Sequence, residues 1–214
     1  MYVPDLFKLD DPAVAVEVMR AHDFALLVTA PGGQPRASHL PFLLDETRGP
    51  QGTLLAHMAR ANPQWRDFEG QGDGDALVVF QGAHGYVSPS WYPPGNNVPT
   101  WNYLAVHAYG RPRILEAPAT RALIERLVAA HEGGRDPSWS LAGQDESYIA
   151  AMLRGIVAFE IPIECLEAKA KLSQNKDAQT RANVVAALEA EGGENASGVA
   201  AAMRRLVLRD APVA

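Results

Sequence analysis

Short apolar runs separated by proline, glycine and polar stretches fill the first four-fifths of the chain, and a helical, alanine-rich pattern takes over after about residue 176. Asp11 followed by Pro12 supplies an N-cap and a first-turn proline. Val14, Val18 and Met19 then share one helical face, which predicts a short amphipathic helix to about His22. Residues 24–30 and 35–44 read as two strands joined by the turn Pro31-Gly32-Gly33-Gln34. Pro41 removes a ladder donor within the second strand, so it is expected at an edge or bulge, where the strand can change partner.

Residues 52–58 predict a third strand, and Asn62-Pro63 the cap and first turn of a helix to about Phe68. Further strands are expected at 76–81 and 84–88, then an irregular, proline-rich excursion over 88–99 and renewed strand character over 101–115. Helices are predicted at 118–131 and 145–154, strands at 156–161 and 165–172, and helices at 177–190 and 197–208. Strands of antiparallel type with helices inserted and appended favour a barrel over a doubly wound parallel sheet. The expected fold is therefore mainly β, of the α+β kind: an antiparallel barrel over residues 1–176 with flanking helices, and a C-terminal helical extension, 177–214, packed on it.

Composition narrows the function classes. With 214 residues, 47% hydrophobic and 21% charged, the chain can bury a core, and 18 glycines and 16 prolines suit a turn-rich fold. The longest apolar run, Phe24 to Ala30, is strand-sized, so no membrane span is expected. The N-terminal residues carry no basic, then apolar, leader, and a cytoplasmic location is expected. The single cysteine, Cys165, cannot form an intrachain disulfide or a cysteine-based zinc site. A formal charge of −6 gives no global attraction to nucleic acid, and direct DNA binding is not expected.

The stretch Gly70–Asp75 resembles a phosphate loop only superficially. It follows a predicted helix rather than a strand, and it carries two aspartates that repel an anion. No Gly-x-Ser-x-Gly is present, and Asn195-Ala196-Ser197 reads as a helix start. The dense chemistry lies in Arg36-Ala37-Ser38-His39 and in His57-Met58-Ala59-Arg60-Ala61-Asn62-Pro63-Gln64-Trp65. Guanidinium groups fork onto phosphate oxygens and a helix start presents N–H groups, so the parts of an anion site are present; the same alternation also suits a solvated strand face. Around 86–103, Tyr86, Trp91, Tyr92, Trp101 and Tyr103 surround the irregular excursion, as ligand or dimer contacts or as cover for a barrel end.

These segments carry a family resemblance. Met1-Tyr2-Val3-Pro4, Ser38-His39-Leu40-Pro41-Phe42, the His57–Trp65 run, Tyr86–Tyr92, Val98–Tyr103 and Lys171-Leu172-Ser173-Gln174-Asn175-Lys176 together resemble the PaiB-type FMN-binding negative transcriptional regulators, nearly end to end. That family is similar in turn to pyridoxamine 5′-phosphate oxidase, which implies an FMN-binding, antiparallel split β-barrel that forms a homodimer. The resemblance implies Arg36, Ser38, His39, Arg60 and Asn62 at the FMN phosphate and His57 and Trp65 nearby. It further implies Trp101, Tyr103, Ser173, Gln174 and Asn175 at the isoalloxazine edge, from the same or the partner chain. The oxidase's substrate-specific residues have no counterparts here. Alternatives are a flavin-dependent oxidoreductase or flavin reductase acting on a small-molecule ligand, and a haem-binding protein with His39, His57 or His107 as axial ligand.

No helix-turn-helix pattern accompanies the regulator resemblance. Val199, Met203 and Leu206 are expected to face the protein body. Arg204, Arg205 and Arg209 then supply too little positive charge for a recognition helix.

Overall fold

The computed structural model describes residues 1–68 and 76–208; the stretch Gly70–Asp75 and Arg209, singled out above, lie outside the described residues. The elements are α1 (Pro12–Ala21), β1 (Phe24–Thr29), β2 (Arg36–Asp45), β3 (Thr53–Ala59), β4 (Ala76–Val87), β5 (Thr100–Gly110), β6 (Arg113–Ile114), α2 (Ala117–Glu132), α3 (Glu146–Arg154), β7 (Ile156–Pro162), β8 (Cys165–Lys171), α4 (Ala178–Glu191) and α5 (Glu194–Leu206), with short 3-10 helices between them. The strands are hydrogen-bonded in the order β6-β7-β3-β2-β1-β4-β5-β8. The pairings β1–β2, β1–β4, β2–β3, β3–β7 and β6–β7 are all antiparallel. The antiparallel split barrel with flanking helices expected from the sequence is the fold observed.

Pro41 marks the point where β2 changes partner. Arg36 to Pro41 pair with β1, and from Phe42 onward the strand pairs with β3. The lost ladder donor thus falls at the handover, and the next amide, Phe42 N, donates to Asp23 O at 2.8 Å. Elsewhere the sequence expectation needs correction. The segments 76–81 and 84–88 form one continuous strand, β4, because Gly82 and Gly85 lie within an unbroken ladder rather than at a turn. The stretch 101–115 divides into β5 and β6 at Pro112, which cannot donate. The helix expected from Asn62 to Phe68 is a 3-10 helix, Pro63–Phe68, and α5 starts at Glu194 rather than 197.

The chain forms two compact units. The first comprises Met1–His22, Phe80–His107 and the chain from Glu167; the second comprises Asp23–Val79 and Ala108–Leu166. In the second unit, Phe42, Leu54, Ala56, Met58, Phe159 and Ile161 are buried on one face of β2, β3 and β7, where the Phe159 ring meets Phe42 edge-on at 6.3 Å and Phe68 at 5.0 Å. On the opposite face Leu55 and Ala158 pack with Leu123 and Leu127 of α2. Burial on both faces explains why Leu54, Leu55 and Ala56 of β3 follow one another without apolar–polar alternation.

In the first unit Val14, Val18 and Met19 of α1 are buried, as their helical spacing predicts. Helices α4 and α5 approach the β4 backbone closely. A Cβ on Gly198 would lie 2.7 Å from Ala83 Cβ, and one on Gly85 would lie 3.3 Å from Leu188 Cδ2 of α4. Asp11 and Asp177 cap α1 and α4 by accepting from Ala13 N and Thr180 N. Val199 and Met203 are buried, as expected, whereas Leu206 is only half-buried. Among the described residues no helix is long and apolar enough to cross a membrane.

Candidate functional site

In the second unit, pairing of β1 with β2 sets Thr29 opposite Arg36 and Leu27 opposite Ser38. The 3-10 helix Pro63–Phe68 is tied to this pair by Gln64, which is 2% exposed. Its Nε2 donates to Thr29 Oγ1 at 3.0 Å, Arg36 O at 3.2 Å and Leu27 O at 3.3 Å. Asn62 Nδ2 donates to Ser38 Oγ at 2.8 Å, while its Oδ1 accepts from Gln64 N at 3.0 Å, the capping role read from Asn62-Pro63. Asp67 completes the cluster by accepting from Thr29 Oγ1 at 2.7 Å and from Arg36 Nη1 at 2.8 Å. Arg36, Ser38 and Asn62 are thus brought together.

Arg60 is anchored differently. Its Nε donates to Arg154 O and its Nη2 to Ile156 O, both at 2.8 Å, so the guanidinium caps the carboxyl end of α3. Trp65 Nε1 donates to Arg60 O at 3.1 Å, and Arg66 stacks over the Trp65 ring at 4.9 Å. His39, by the strand alternation, stands on the opposite face of β2 from Ser38 and stacks with Phe24 at 6.1 Å. His57 is half-buried, and burial pushes its pKa below the ordinary imidazole value. Its Nδ1 and Gln64 Oε1 are buried polar atoms with no hydrogen-bond partner among the described residues.

These donors fit a phosphate in part. Arg36 engages only Nη1 and Arg60 only Nε and Nη2, so each guanidinium retains N–H groups for a further acceptor. The short 3-10 helix contributes less than a full α-helix would, because few peptide dipoles are aligned behind its first amides.

The first unit holds the remaining candidates. Asn102, fully buried, and Ser173 exchange hydrogen bonds: Asn102 Nδ2 donates to Ser173 Oγ at 2.9 Å, and Ser173 Oγ approaches Asn102 Oδ1 at 3.2 Å. Ser173 sits at φ +63°, a conformation that side chains other than glycine seldom adopt. Gln174 folds back on its own strand, its Oε1 accepting from Leu172 N at 2.7 Å, whereas Asn175 is exposed. Lys176 Nζ lies 4.6 Å from the centre of the Tyr92 ring, and Lys169 Nζ 5.2 Å from that of Tyr103. Trp101 and Tyr86 are exposed and meet edge-on at 6.0 Å. Burial lowers the pKa of His107 as well. Among the described residues no group of three or more His, Cys, Asp or Glu could hold a metal ion.

Sequence reasoning missed Thr29, Gln64, Asp67 and Asn102 as organisers. Their partners are 28 to 71 residues away, and no local pattern announces such pairs.

A family described as "Putative FMN-binding domain" matches residues 1–165. The chain is 36% identical to the protease synthase and sporulation protein PAI 2 of Bacillus subtilis, over 95% of this chain and 96% of that one. It is also 31% identical to an uncharacterised protein of Aspergillus fumigatus, covering 77% and 80% of the two chains. Among solved structures, an FAD- and haem-binding protein from Mycobacterium smegmatis superimposes with a TM-score of 0.59 at 17% identity, covering 87% of this chain and 80% of that one. The flavocytochrome Anf3 of Azotobacter vinelandii gives a TM-score of 0.59 at 14% identity, covering 82% and 75%. These two likenesses extend to the fold. With three-quarters of its length matched, and a relative that aligns almost from end to end, the chain belongs to the FMN-binding domain family.

Proposed function

We propose that this protein is an FMN-binding homodimer whose phosphate grip is formed by Arg36, Ser38, Arg60 and Asn62. The observation that supports it is the convergence of Arg36, Ser38 and Asn62 on one short helix, with guanidinium N–H groups unengaged, inside the residues matched to the FMN-binding family. A bound flavin would supply one- and two-electron redox chemistry. The chain's own residues would fix its phosphate: Asp67 holds Arg36 in place, and Asn62 orients the Ser38 hydroxyl. Trp101, Tyr103 and Asn175 are the proposed contacts to the ring edge, from either chain of the dimer.

Negative regulation of transcription, where it occurs, is proposed to be indirect. Arg204 and Arg205 of α5 are engaged by Glu189 and Glu17, which leaves little free positive charge on that helix. A nanomolar, sequence-specific mobility shift by the purified protein at roughly 150 mM salt would overturn this reading.

The absorption spectrum of the protein purified with added FMN tests the central proposal. Retained bands near roughly 370 and 450 nm are expected, and a Soret band near roughly 400 nm in their place would assign the site to haem. Light scattering that returned a 23.1 kDa particle in the presence of FMN would refute the dimer. Oxidation of NAD(P)H by the FMN-loaded protein would move the reading to a flavin-dependent oxidoreductase.

A further inference from the structure

Arginines in this acidic chain are mostly engaged by carboxylates: Arg36 by Asp67, Arg48 by Glu160, Arg126 by Asp45, Arg204 by Glu189 and Arg205 by Glu17. Arg60, Arg66, Arg113, Arg154 and Arg181 have no carboxylate partner among the described residues, and two of them, Arg60 and Arg154, line one feature. That feature is a cleft of about 570 Å³ in the second unit, bounded by Arg60, Trp65, Leu115, Leu153, Arg154 and Ile156. Its volume is of the order expected for a small-molecule site.

The cleft has two chemically distinct parts. Leu115, Leu153, Ile156 and the buried Val157 and Ala158 make an apolar lining, to which Trp65 adds an aromatic side chain. At the polar end, the two bonds of Arg60 to the carbonyls of Arg154 and Ile156 fix the plane of its guanidinium and leave Nη1 unengaged. The exposed side chain of Arg154 makes no described contact. One carboxylate, Glu116, also lines the cleft. Two guanidiniums opposed by a single carboxylate leave one unit of positive charge uncompensated, which matches a monoanion better than a doubly charged phosphate. The lining next to it matches a hydrocarbon body.

We infer that this cleft binds a small organic acid, its carboxylate held by Arg60 and Arg154 and its aliphatic or aromatic body laid against Trp65, Leu115, Leu153 and Ile156. The inference goes beyond flavin binding, although Arg60 and Trp65 belong to both sets. Occupancy would then report the level of such an acid from a position beside the proposed phosphate grip.

Calorimetric titration of the full chain with 3-phenylpropionate, with and without saturating FMN, tests this. Saturable, salt-weakened binding is expected without FMN and weaker but still saturable binding with it, because both anions draw on Arg60, and the neutral isostere 3-phenylpropionamide should bind about tenfold or more weakly. Arg154→Gln should weaken the acid about tenfold and leave FMN affinity and the thermal midpoint unchanged. Ala150→Phe, which fills the cleft from α3, should abolish acid binding; if that variant does not fold, Arg154→Gln decides. Equal affinity for acid and amide, or no saturation by about 10 mM, would overturn the inference. So would one-for-one displacement by FMN, which would give the cleft to the flavin. A protein that failed to bind FMN would refute the flavin reading alone, because the acid titration is read on flavin-free protein.

Discussion

Arg36 Nη1 lies 2.8 Å from Asp67 Oδ1, and the two ends of this ion pair differ sharply in exposure: the arginine side chain is 51% exposed and the aspartate 6%. The buried end acts as a fixed anchor, because Thr29 Oγ1 holds the other carboxylate oxygen. The exposed end presents Nε and Nη2 outward, held in position by that anchor. Arg36→Ala should therefore weaken FMN about ten- to a hundredfold, as expected for loss of a charge-assisted hydrogen bond, while riboflavin affinity changes little. It should also lower stability by about 1–2 kcal/mol, since Asp67 is left without its cation. Fluorescence titration with both ligands checks the first expectation and urea unfolding the second; equal losses for FMN and riboflavin would remove Arg36 from the phosphate.

Arg60 separates a capping role from a binding role. Arg60→Ala deletes two bonds, one to the last carbonyl of α3 and one to the first carbonyl of β7, and should cost about 1–2 kcal/mol, with Arg60→Lys intermediate. If the residue also grips phosphate, FMN should lose more affinity than riboflavin in the alanine variant. A purely structural arginine would shift both ligands equally, so the ratio of the two affinities, together with the unfolding midpoint, decides its role.

How much of this could be read along the chain depends on the range of the interaction. Caps, the buried face of α1 and the handover at Pro41 rest on neighbours a few residues apart, and each follows from local chemistry. The division of 101–115 at Pro112 was missed because strand character continues on both sides of the proline. The fusion of 76–88 into β4 was missed because glycine in a sequence signals a turn. Here Gly82 and Gly85 instead admit Leu104 and the side chains of α4 and α5. At the candidate site, clustering of Arg36, Ser38 and Asn62 was anticipated. That Asp67 and the end of α3 engage the two arginines was not, because those partners are 31 and 94 or more residues distant.

Ser173 offers a test in which the usual ranking of substitutions inverts. Its φ of +63° is strained for any residue with a Cβ, and the bonds it exchanges with Asn102 offset that strain. Ser173→Ala loses the bonds and keeps the strain, and should cost about 2 kcal/mol. Ser173→Gly loses the same bonds and relieves the strain, so it should be the more stable of the two by about 0.5–1 kcal/mol. Urea unfolding of both variants measures the difference, and an alanine variant as stable as the glycine one would show that the turn carries no backbone strain.

His57 predicts a pH dependence whose sign follows from its burial. The half-buried ring disfavours the imidazolium, so the folded pKa lies below the ordinary 6.5. Between the folded pKa and 6.5 the unfolded chain binds more protons than the folded one. The contribution of His57 is therefore fully present above pH 6.5 and is lost as pH falls through that value toward the folded pKa. His107, also depressed by burial, acts in the same direction, so the wild-type slope reports both rings. His57→Asn should flatten the decline of stability between about pH 6.5 and pH 5 without abolishing it, whatever its effect on stability at pH 8. Unfolding free energies measured across that range for wild type and variant give the two slopes. Identical slopes would place the folded His57 pKa at its ordinary value, and a steeper variant would reverse the sign.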